Sequence, residues 1–125
     1  MTRGRVLSID DESMVTQAVR RLLAQRYQVA TVDDAKVAFG LLQSGARFDA
    51  IICDVFMPLM NGMDFYEKVR ALDPDQAARI VFLTGASTQQ DVRAFLAAVP
   101  NRRLDKPFSP LALEAVIDDM MPVVQ

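Results

Sequence analysis

Short apolar runs alternate with amphipathic segments along the whole chain, and this alternation limits the possible folds more than any other feature. Each of five apolar runs is typical of a strand and is followed by apolar residues at the i, i+3, i+4, i+7 spacing of a helix. Because parallel neighbouring strands need crossover connections, five such β-α units predict a parallel sheet with helices on both faces. We therefore predict an α/β fold, a single doubly wound domain over residues 1–125 with five strands and five helices. The predicted strands are Arg5–Ile9, Val29–Val32, Ala50–Cys53, Ile80–Leu83 and Arg103–Asp105.

The predicted helices follow the strands, and two of them have clear ends. The third helix is expected to end near Leu72, because Asp73-Pro74 follows it and the residue before a proline disfavours helical geometry. Pro100-Asn101 ends the fourth helix in the same way. The apolar stripes of the five helices span residues 15–23, 35–42, 65–69, 92–99 and 113–121.

The composition excludes several kinds of site. The chain has no histidine, which rules out Ser-His-Asp and Cys-His nucleophilic sites and imidazole ligation of zinc or haem. Cys53 is the only cysteine, so neither an intrachain disulfide nor a multi-cysteine metal site can form, and we interpret it as a core residue. The net charge of −2 gives no general attraction to nucleic acid or anionic membranes. Because no signal peptide or bilayer-length apolar segment is present, we expect a cytoplasmic location.

Chemically active side chains occur where the predicted strands end. Asp10 and Asp11 follow the first strand, Asp54 follows the third, Thr84 the fourth and Lys106 the fifth. In a doubly wound sheet, ligands bind beyond the carboxyl ends of the strands, where the strand order reverses. We therefore expect these five side chains to lie on one rim of the sheet and to form one site.

The residue types at this rim favour phosphoryl chemistry with a metal ion. Three carboxylates close together repel one another unless a cation lies among them, and oxygen ligands without histidine or cysteine suit Mg²⁺. A carboxylate such as Asp54 can accept a phosphoryl group once the incoming charge is neutralised. The ammonium of Lys106 can pair with one phosphoryl oxygen and the hydroxyl of Thr84 can donate to another. The rim is therefore predicted to be a phosphoacceptor site.

Each of these residues also has an ordinary structural interpretation. Asp10 or Asp11 can cap the first helix, and Asp54 can be a turn residue. Thr84 can simply end a strand, and Lys106 can be a solvated lysine ahead of a helix. The functional interpretation depends on all of these residues occurring together. Four separate strand ends carry suitable residues, and the predicted topology places these residues around one crevice.

Four motifs then carry a resemblance to a known family. They are Ile9-Asp10-Asp11, the run Asp54–Gly62 (DVFMPLMNG), Thr84-Gly85-Ala86 and Lys106-Pro107-Phe108. With these motifs the chain resembles the response-regulator receiver domains of two-component signalling over essentially its full length. The resemblance implies a flavodoxin-like sheet of order 2-1-3-4-5. It also implies that Asp54 receives a phosphoryl group, with Mg²⁺, from a phosphohistidine on a histidine kinase or phosphotransfer protein.

The same resemblance implies finer roles. Asp11 and Asp54 would ligate Mg²⁺ directly, and Asp10 would act mainly through water. The backbone carbonyl of Phe56 would complete the ligands that the protein supplies to the metal. The bond between Lys106 and the following proline is typically cis in the family. The surface of the fourth helix, fifth strand and fifth helix would pass the signal to a downstream output domain or protein.

The chain departs from the family pattern at several positions. Phe56 and Ala86 are apolar where the family often has polar residues that orient the water for acyl phosphate hydrolysis, so we predict that Phe56 slows loss of the phosphoryl group. Arg103 stands where an aromatic residue usually moves together with the threonine. Pro100-Asn101 replaces a frequent Gly-Ala and predicts a less regular corner before the last strand.

Other functions stay open at this point. A degenerate receiver that docks partners without phosphorylation is supported by Ala86 and Arg103. A haloacid-dehalogenase-like phosphatase also uses a strand-end aspartate, Mg²⁺, a hydroxyl and a lysine, but Phe56 occupies the position of its second aspartate. A flavin module is disfavoured, because the acidic run after the first strand would repel a phosphate. The domain could stand alone, or it could be a segment of a hybrid histidine kinase or larger regulator. The run Leu104–Phe108 slightly favours a segment of a longer protein.

Overall fold

The computed structural model describes residues 3–57, 59–85 and 89–122, and in it helices cover both faces of a parallel sheet. The strands are β1 (Arg5–Ile9), β2 (Gln28–Val32), β3 (Ala50–Asp54), β4 (Ile80–Thr84) and β5 (Arg103–Asp105). The helices are α1 (Ser13–Leu23), α2 (Ala35–Gln43), α3 (Gly62–Leu72), α4 (Pro74–Ala78), α5 (Gln90–Ala98) and α6 (Pro110–Met120). The strand order is β2-β1-β3-β4-β5 with every neighbouring pair parallel, which confirms the doubly wound fold and its order. Within the described ranges, no helix is long and apolar enough to cross a bilayer.

Two apolar layers hold the helices to the sheet. Successive strand residues point to opposite faces, so Leu7 and Ile51 pack towards α2, α3 and α5, whereas Val6 and Ile52 pack towards α1 and α6. Cys53 is fully buried in the first layer, which confirms its interpretation as a core residue. Burying a large apolar side chain stabilises the fold by about 1.5–3 kcal/mol, so these layers supply the main driving force for folding.

The first layer contains an aromatic cluster that joins two helices to β4. Phe82 of β4 lies with its ring centroid 6.0 Å from that of Tyr66 in α3 and 5.3 Å from that of Phe95 in α5. The rings of Tyr66 and Phe95 meet edge to face at 5.5 Å. On the other side of the sheet, the buried Tyr27 donates its hydroxyl hydrogen bond to Asp118 of α6. Each layer therefore holds one tyrosine.

Among its described residues the structure has one helix more than the five that the sequence predicts. The third helix ends as expected before Asp73, but a short additional helix, α4, follows directly. The Asp73 side chain accepts hydrogen bonds from the backbone N–H groups of Asp75 and Gln76, at 3.1 and 3.4 Å. Pro74 takes the first helical position, where a missing N–H costs little. The Asp73-Pro74 pair thus ends one helix and begins another.

The corner before β5 is held by the side chain of Asn101. Its amide nitrogen donates to the backbone carbonyls of Ala77 and Ile80, each at 2.8 Å. The sequence predicts a less regular corner here, and these two bonds fix it to α4 and to the start of β4. The register of β5 against β4, with Arg103 beside Phe82, follows from this corner.

The connection from β3 to α3 is tightly folded around a glycine. The N–H of Gly62 donates to the carbonyl of Val55 at 2.9 Å, and the side chain of Asn61 caps α3 by accepting from the N–H of Asp64 at 2.9 Å. A Cβ atom at Gly62 would lie 2.8 Å from the backbone oxygen of Asp54 and 2.9 Å from the Cα of Val55. Only glycine allows α3 to begin this close to the end of β3.

We expect Gly62→Ala to destabilise the domain by about 1–3 kcal/mol, because the new methyl group meets backbone that cannot move aside cheaply. Gly40→Ala is the matched control, since a Cβ at Gly40 in the middle of α2 meets nothing within 4 Å. That control should stabilise the domain by about 0.5–1 kcal/mol through helix propensity. Urea unfolding of both variants measures the two changes, and a Gly62→Ala variant as stable as wild type would contradict the close approach.

Candidate functional site

The carboxyl ends of four strands meet at one rim of the sheet. Asp10 directly follows β1, Asp54 ends β3, Thr84 ends β4 and Lys106 directly follows β5. The backbone N–H of Lys106 donates to the carbonyl of Thr84 at 2.8 Å, which continues the pairing of β4 and β5 to the rim. The structure therefore brings together Asp10, Asp54 and Lys106 from three separate strand ends, with Thr84 beside them.

The ammonium group of Lys106 is the centre of this site. Its Nζ atom lies 3.2 Å from Oδ2 of Asp10 and 3.1 Å from Oδ2 of Asp54. Both carboxylates are almost fully buried, and the Lys106 side chain is only 21% exposed. The ammonium also lies 3.4 Å from Oε1 of Glu12, whose side chain is exposed. One positive charge thus contacts three carboxylates, in surroundings where ion pairs are stronger than at an open surface.

The backbone supplies a second partner to each buried carboxylate. Oδ1 of Asp10 accepts a hydrogen bond from the N–H of Glu12 at 2.9 Å, and Oδ1 of Asp54 accepts one from the N–H of Phe56 at 3.2 Å. Each aspartate therefore has one oxygen on a backbone N–H and the other on the lysine. These bonds fix the orientation of both carboxylates before any ligand is added.

Burial raises the pKa of both aspartates above the ordinary range. For Asp10 the hydrogen bond from Glu12 lowers the pKa in part, while the charge of Asp54 raises it further. For Asp54 the pairing with Lys106 offsets part of the burial effect, and the nearby charge of Asp11 adds to it. Burial lowers the pKa of Lys106, but the attraction of Asp54 and Asp10 outweighs this and leaves it raised. The site is thus short of positive charge, and a further cation bound there would be stabilised.

Three carboxylates are close enough together to hold a metal ion. Asp10, Glu12 and Asp54 each offer one oxygen, and these oxygens lie within 4.8 Å of one another. An all-oxygen donor set of this kind fits a hard divalent cation such as Mg²⁺. Asp11 is exposed and lies outside this group, although its charge acts on Asp54. Its place as a direct ligand stays a prediction, as does that of the Phe56 carbonyl.

Glu12 is the residue of the site that sequence reasoning missed. It follows the acidic pair directly, so the acidic run Asp10–Glu12 was the available signal. Its contact with Lys106 joins residues 94 positions apart, however, and only the packing of β1 beside β3 and the path of β5 bring them together.

The hydroxyl of Thr84 is turned towards its own backbone. The side chain is buried, and Oγ1 donates to the carbonyl of Gly85 at 2.9 Å. Within the described part of the chain it makes no hydrogen bond to Asp54 or Lys106. The peptide bond between Lys106 and Pro107 is cis, as the resemblance to the receiver family implies. Ala86 and Pro58, which belong to the sequence motifs, lie outside the described residues.

We expect Lys106→Met, measured in EDTA, to lower the free energy of unfolding at neutral pH by about 1–3 kcal/mol, because two buried carboxylates lose their cation. The loss of Lys106 also raises the carboxyl pKa values of the folded state further. The folded variant then binds more protons than the unfolded chain between the ordinary and the raised carboxyl pKa, so its stability falls as pH rises through that window. The deficit relative to wild type should therefore fade as pH falls through it.

Lys36→Met is the matched control for that variant. Lys36 is exposed on α2, and its side chain has no ion pair among the described residues. It should change stability by no more than about 0.5 kcal/mol at any pH. Urea unfolding at several pH values measures both variants, and a Lys106→Met deficit that does not depend on pH would contradict the proposed pairing.

Comparison with known proteins places this geometry in a family. The family described as "Response regulator receiver domain" matches residues 6–118, which extend from β1 into α6. The hydrogenase transcriptional regulatory protein HoxA of Bradyrhizobium diazoefficiens is 37% identical over 94 residues, which are 75% of this chain and 19% of that protein. The protein-glutamate methylesterase/protein-glutamine glutaminase of Escherichia coli is 34% identical over 97 residues, which are 75% of this chain and 28% of that protein. The chain thus spans less than a third of either relative.

Solved structures agree with this match. The Vibrio cholerae chemotaxis protein CheY4 superimposes with a TM-score of 0.82 at 33% identity, over 96% of this chain and 100% of that one. The receiver domain of a Pseudomonas aeruginosa sensor histidine kinase, with a magnesium ion coordinated in its active site cleft, gives a TM-score of 0.81 at 25% identity, over 95% of this chain and 98% of that one. Because the family match covers nearly the whole sheet and its helices, this chain belongs to the response regulator receiver domain family.

Proposed function

We propose that this chain is a phosphoacceptor signalling domain, which takes a phosphoryl group from the phosphohistidine of a histidine kinase or phosphotransfer protein onto Asp54. The observation that carries the proposal is the buried Asp54 carboxylate, held between the Lys106 ammonium and the Phe56 N–H in a chain of the receiver family. An oxygen of Asp54 attacks the phosphorus atom, the phosphorus–nitrogen bond breaks, and its electrons leave with the imidazole. The phosphohistidine lies outside these 125 residues, because they contain no histidine.

Asp54 is suited to this role by its surroundings. Its raised pKa reflects the cost of burial, and an ionised carboxylate in this position is a better nucleophile than one fully solvated by water. The hydrogen bond from Phe56 and the contact with Lys106 hold it in one orientation, which reduces the entropic cost of reaching the transition state. Lys106 would then pair with an oxygen of the incoming phosphoryl group.

We propose that the cofactor is Mg²⁺. Its direct ligands would be Asp11, Asp54 and the backbone carbonyl of Phe56, and Asp10 would act through water. The all-oxygen set and the unbalanced negative charge around Lys106 support a hard divalent cation here. When bound, this ion neutralises charge on the phosphoryl oxygens during transfer. Glu12 lies close enough to compete with Asp11 for the role of third carboxylate.

Phosphorylation is proposed to change the surface formed by α5, β5 and α6. The Thr84 hydroxyl donates to Gly85 in this structure, and it can donate to a phosphoryl oxygen only by breaking that bond. Thr84 ends β4, and Gly85 follows it on the way to α5, so this exchange acts at the edge of the proposed output surface. A downstream output domain or partner protein would read the change.

Two other functions are weaker candidates. A docking module that needs no phosphorylation leaves the buried Asp10, Asp54 and Lys106 unexplained, since such an arrangement costs stability. A phosphatase of the haloacid-dehalogenase type needs a second acid two residues after the nucleophile, where this chain has Phe56. The methylesterase activity of the relative belongs to a protein of which this chain covers 28%.

We expect intact-protein mass spectrometry to show one phosphoryl adduct after incubation with acetyl phosphate and Mg²⁺. The adduct should be absent with EDTA and absent in Asp54→Asn. Asp33→Asn is the control, because Asp33 is an exposed aspartate near the same rim and should leave the adduct unchanged. If Asp54→Asn is modified as readily as wild type, Asp54 is not the acceptor.

The metal ligands can be separated by two conservative variants. A saturating concentration of Mg²⁺, about one hundred times the dissociation constant, should stabilise wild type by about 2.7 kcal/mol. Asp11→Asn should lose most of this stabilisation, whereas Glu12→Gln should keep it. Thermal unfolding with and without Mg²⁺ measures the shift, and the reverse result would replace Asp11 by Glu12 in the ligand set.

Phe56 is proposed to lengthen the life of the phosphorylated state. Its side chain is partly exposed, two residues beyond Asp54, and offers no polar group to orient a water molecule. Phe56→Asn should therefore speed loss of the phosphoryl group from the purified, phosphorylated domain. The decay of the adduct mass over time measures this rate, and equal rates in wild type and variant would refute the shielding role.

A further inference from the structure

The strand β2 forms one edge of the sheet and carries no charged residue. The strand order is β2-β1-β3-β4-β5, so β2 and β5 are the two edge strands. β2 has five residues, Gln28–Val32, of which three are β-branched and none is a proline. β5 has only three residues, and Arg103 and Asp105 are charged. Short length and charge usually protect an edge strand against further pairing, so β5 is protected and β2 is open.

The backbone of β2 presents two residues to its open side. The N–H of Gln28 donates to the residue before β1 at 2.8 Å, and the carbonyl of Val32 accepts from the residue after β1 at 3.2 Å. In a parallel pair every second residue bonds to a given neighbouring strand, so the residues between these two alternate in the same way. The N–H and C=O groups of Val29 and Thr31 therefore point away from β1, and no described residue bonds to them.

The side chains beside this edge are small or apolar. Ala30 is exposed at the centre of β2, on the same face as Val32, which packs against the layer of α2, α3 and α5. On this face α2 meets α3 through Phe39, whose ring lies against a lysine of α3. Val37 and Leu41 lie about 160° around the helix from Phe39, away from α3 and towards the edge strand. Val37 is 50% exposed, so apolar surface borders the open side of β2.

We propose that β2 pairs antiparallel with β2 of a second copy of this chain, about a two-fold axis at Ala30. In this register Val29 of each copy lies opposite Thr31 of the other, and each opposed pair exchanges both of its N–H···O=C bonds. The outward backbone groups of these residues then all have partners. Ala30 faces Ala30 across the axis as a close pair without hydrogen bonds, where small side chains let the strands approach. This pairing does not rest on the proposed function.

The charges at the two ends of β2 favour an antiparallel second copy. Arg26 lies two residues before the strand, whereas Asp33 and Asp34 follow it directly. An antiparallel pair brings Arg26 of each copy towards the two aspartates of the other, and a parallel pair would bring like charges together. Arg26 is bonded to Asp118 through Nη2 and its side chain is 50% exposed, so further donors of the guanidinium stay available.

The dimer would join two five-stranded sheets into one and would leave the faces of the proposed function open. β5 lies at the opposite edge of each sheet, so the surface around it stays outside the interface. Asp54 belongs to β3, which β1 separates from β2. Because the two copies are antiparallel, their acidic rims lie at opposite ends of the joined sheet. A second copy on β2 would therefore compete neither with a phosphoryl donor nor with an output partner.

Disulfide trapping tests the register. The Cα atoms of a close antiparallel pair lie about 4.5 Å apart, within the range of a disulfide. Ala30→Cys should therefore form a covalent dimer with oxidised glutathione, seen on a non-reducing gel. Gln28→Cys is the matched control, because position 28 is also exposed on this face but the two introduced thiols would lie about 13 Å apart along the strands. It should cross-link about tenfold more slowly or less. Cys53 is fully buried and does not compete.

Analytical ultracentrifugation of the unmodified chain measures the association itself. The mean mass should rise from monomer towards dimer as the concentration is raised from about 1 μM to about 1 mM, the range of weak interfaces. Ala30→Lys and Ala30→Glu should each stay monomeric, because like charges meet at the axis, whereas an equimolar mixture of the two should associate. Ala97→Lys places the same charge on an exposed alanine of α5 and should dimerise as wild type does.

Amide hydrogen exchange identifies the strand that pairs. The N–H groups of Val29 and Thr31 should gain protection at high concentration, and that of Ala30, bonded within the sheet, should not change. A chain that stays monomeric at about 1 mM, equal cross-linking of the two cysteine variants, or a monomeric Ala97→Lys would each overturn the proposal. A dimer that forms no adduct at Asp54 would contradict the proposed function alone.

Discussion

The arrangement of the site depends on one lysine that pairs with two buried carboxylates. Three different strand ends supply the site: Asp10 follows β1, Asp54 ends β3 and Lys106 follows β5. These strand ends must lie side by side at the rim for the Lys106 ammonium to contact both acids. Without the lysine, two acids close to each other would be buried unpaired, and with it the site still carries more negative than positive charge. The same contacts that hold the strand ends together therefore leave negative charge at the rim that would favour a further cation, and they hold Asp54 in place for the proposed phosphoryl transfer.

The backbone around Asp54 is held as firmly as its side chain. Gly62 brings the start of α3 against the end of β3. The N–H of Phe56, two residues after Asp54, donates a hydrogen bond to the Asp54 carboxylate. Thr84 differs, because among the described residues its hydroxyl bonds only to its own neighbour, Gly85. The rim thus combines a firmly held carboxylate with a hydroxyl whose hydrogen-bond partner can be exchanged, which suits the proposed role as a switch.

Much of this structure could be predicted from the sequence, because the hydrophobic pattern is regular and strand-end residues are informative in a doubly wound sheet. The five strands lie where the pattern places them, and their order agrees with the resemblance to receivers. The short helix α4 was missed because Asp73-Pro74 looks like a stop, although an aspartate cap followed by proline also begins helices. The contact of Glu12 with Lys106 could not be predicted, since it depends on how distant strands pack rather than on local spacing.

The two tyrosines give the domain a pair of optical probes, one on each side of the sheet. The chain has no tryptophan, so its ultraviolet emission comes from Tyr27, bonded to Asp118 in the layer of α1 and α6, and from Tyr66, in the aromatic cluster that ties α3 and α5 to β4. Replacing Tyr27 by phenylalanine would leave Tyr66 as the single emitter. Its signal would then report on the packing of α3 and α5 against β4, without any label attached to the protein.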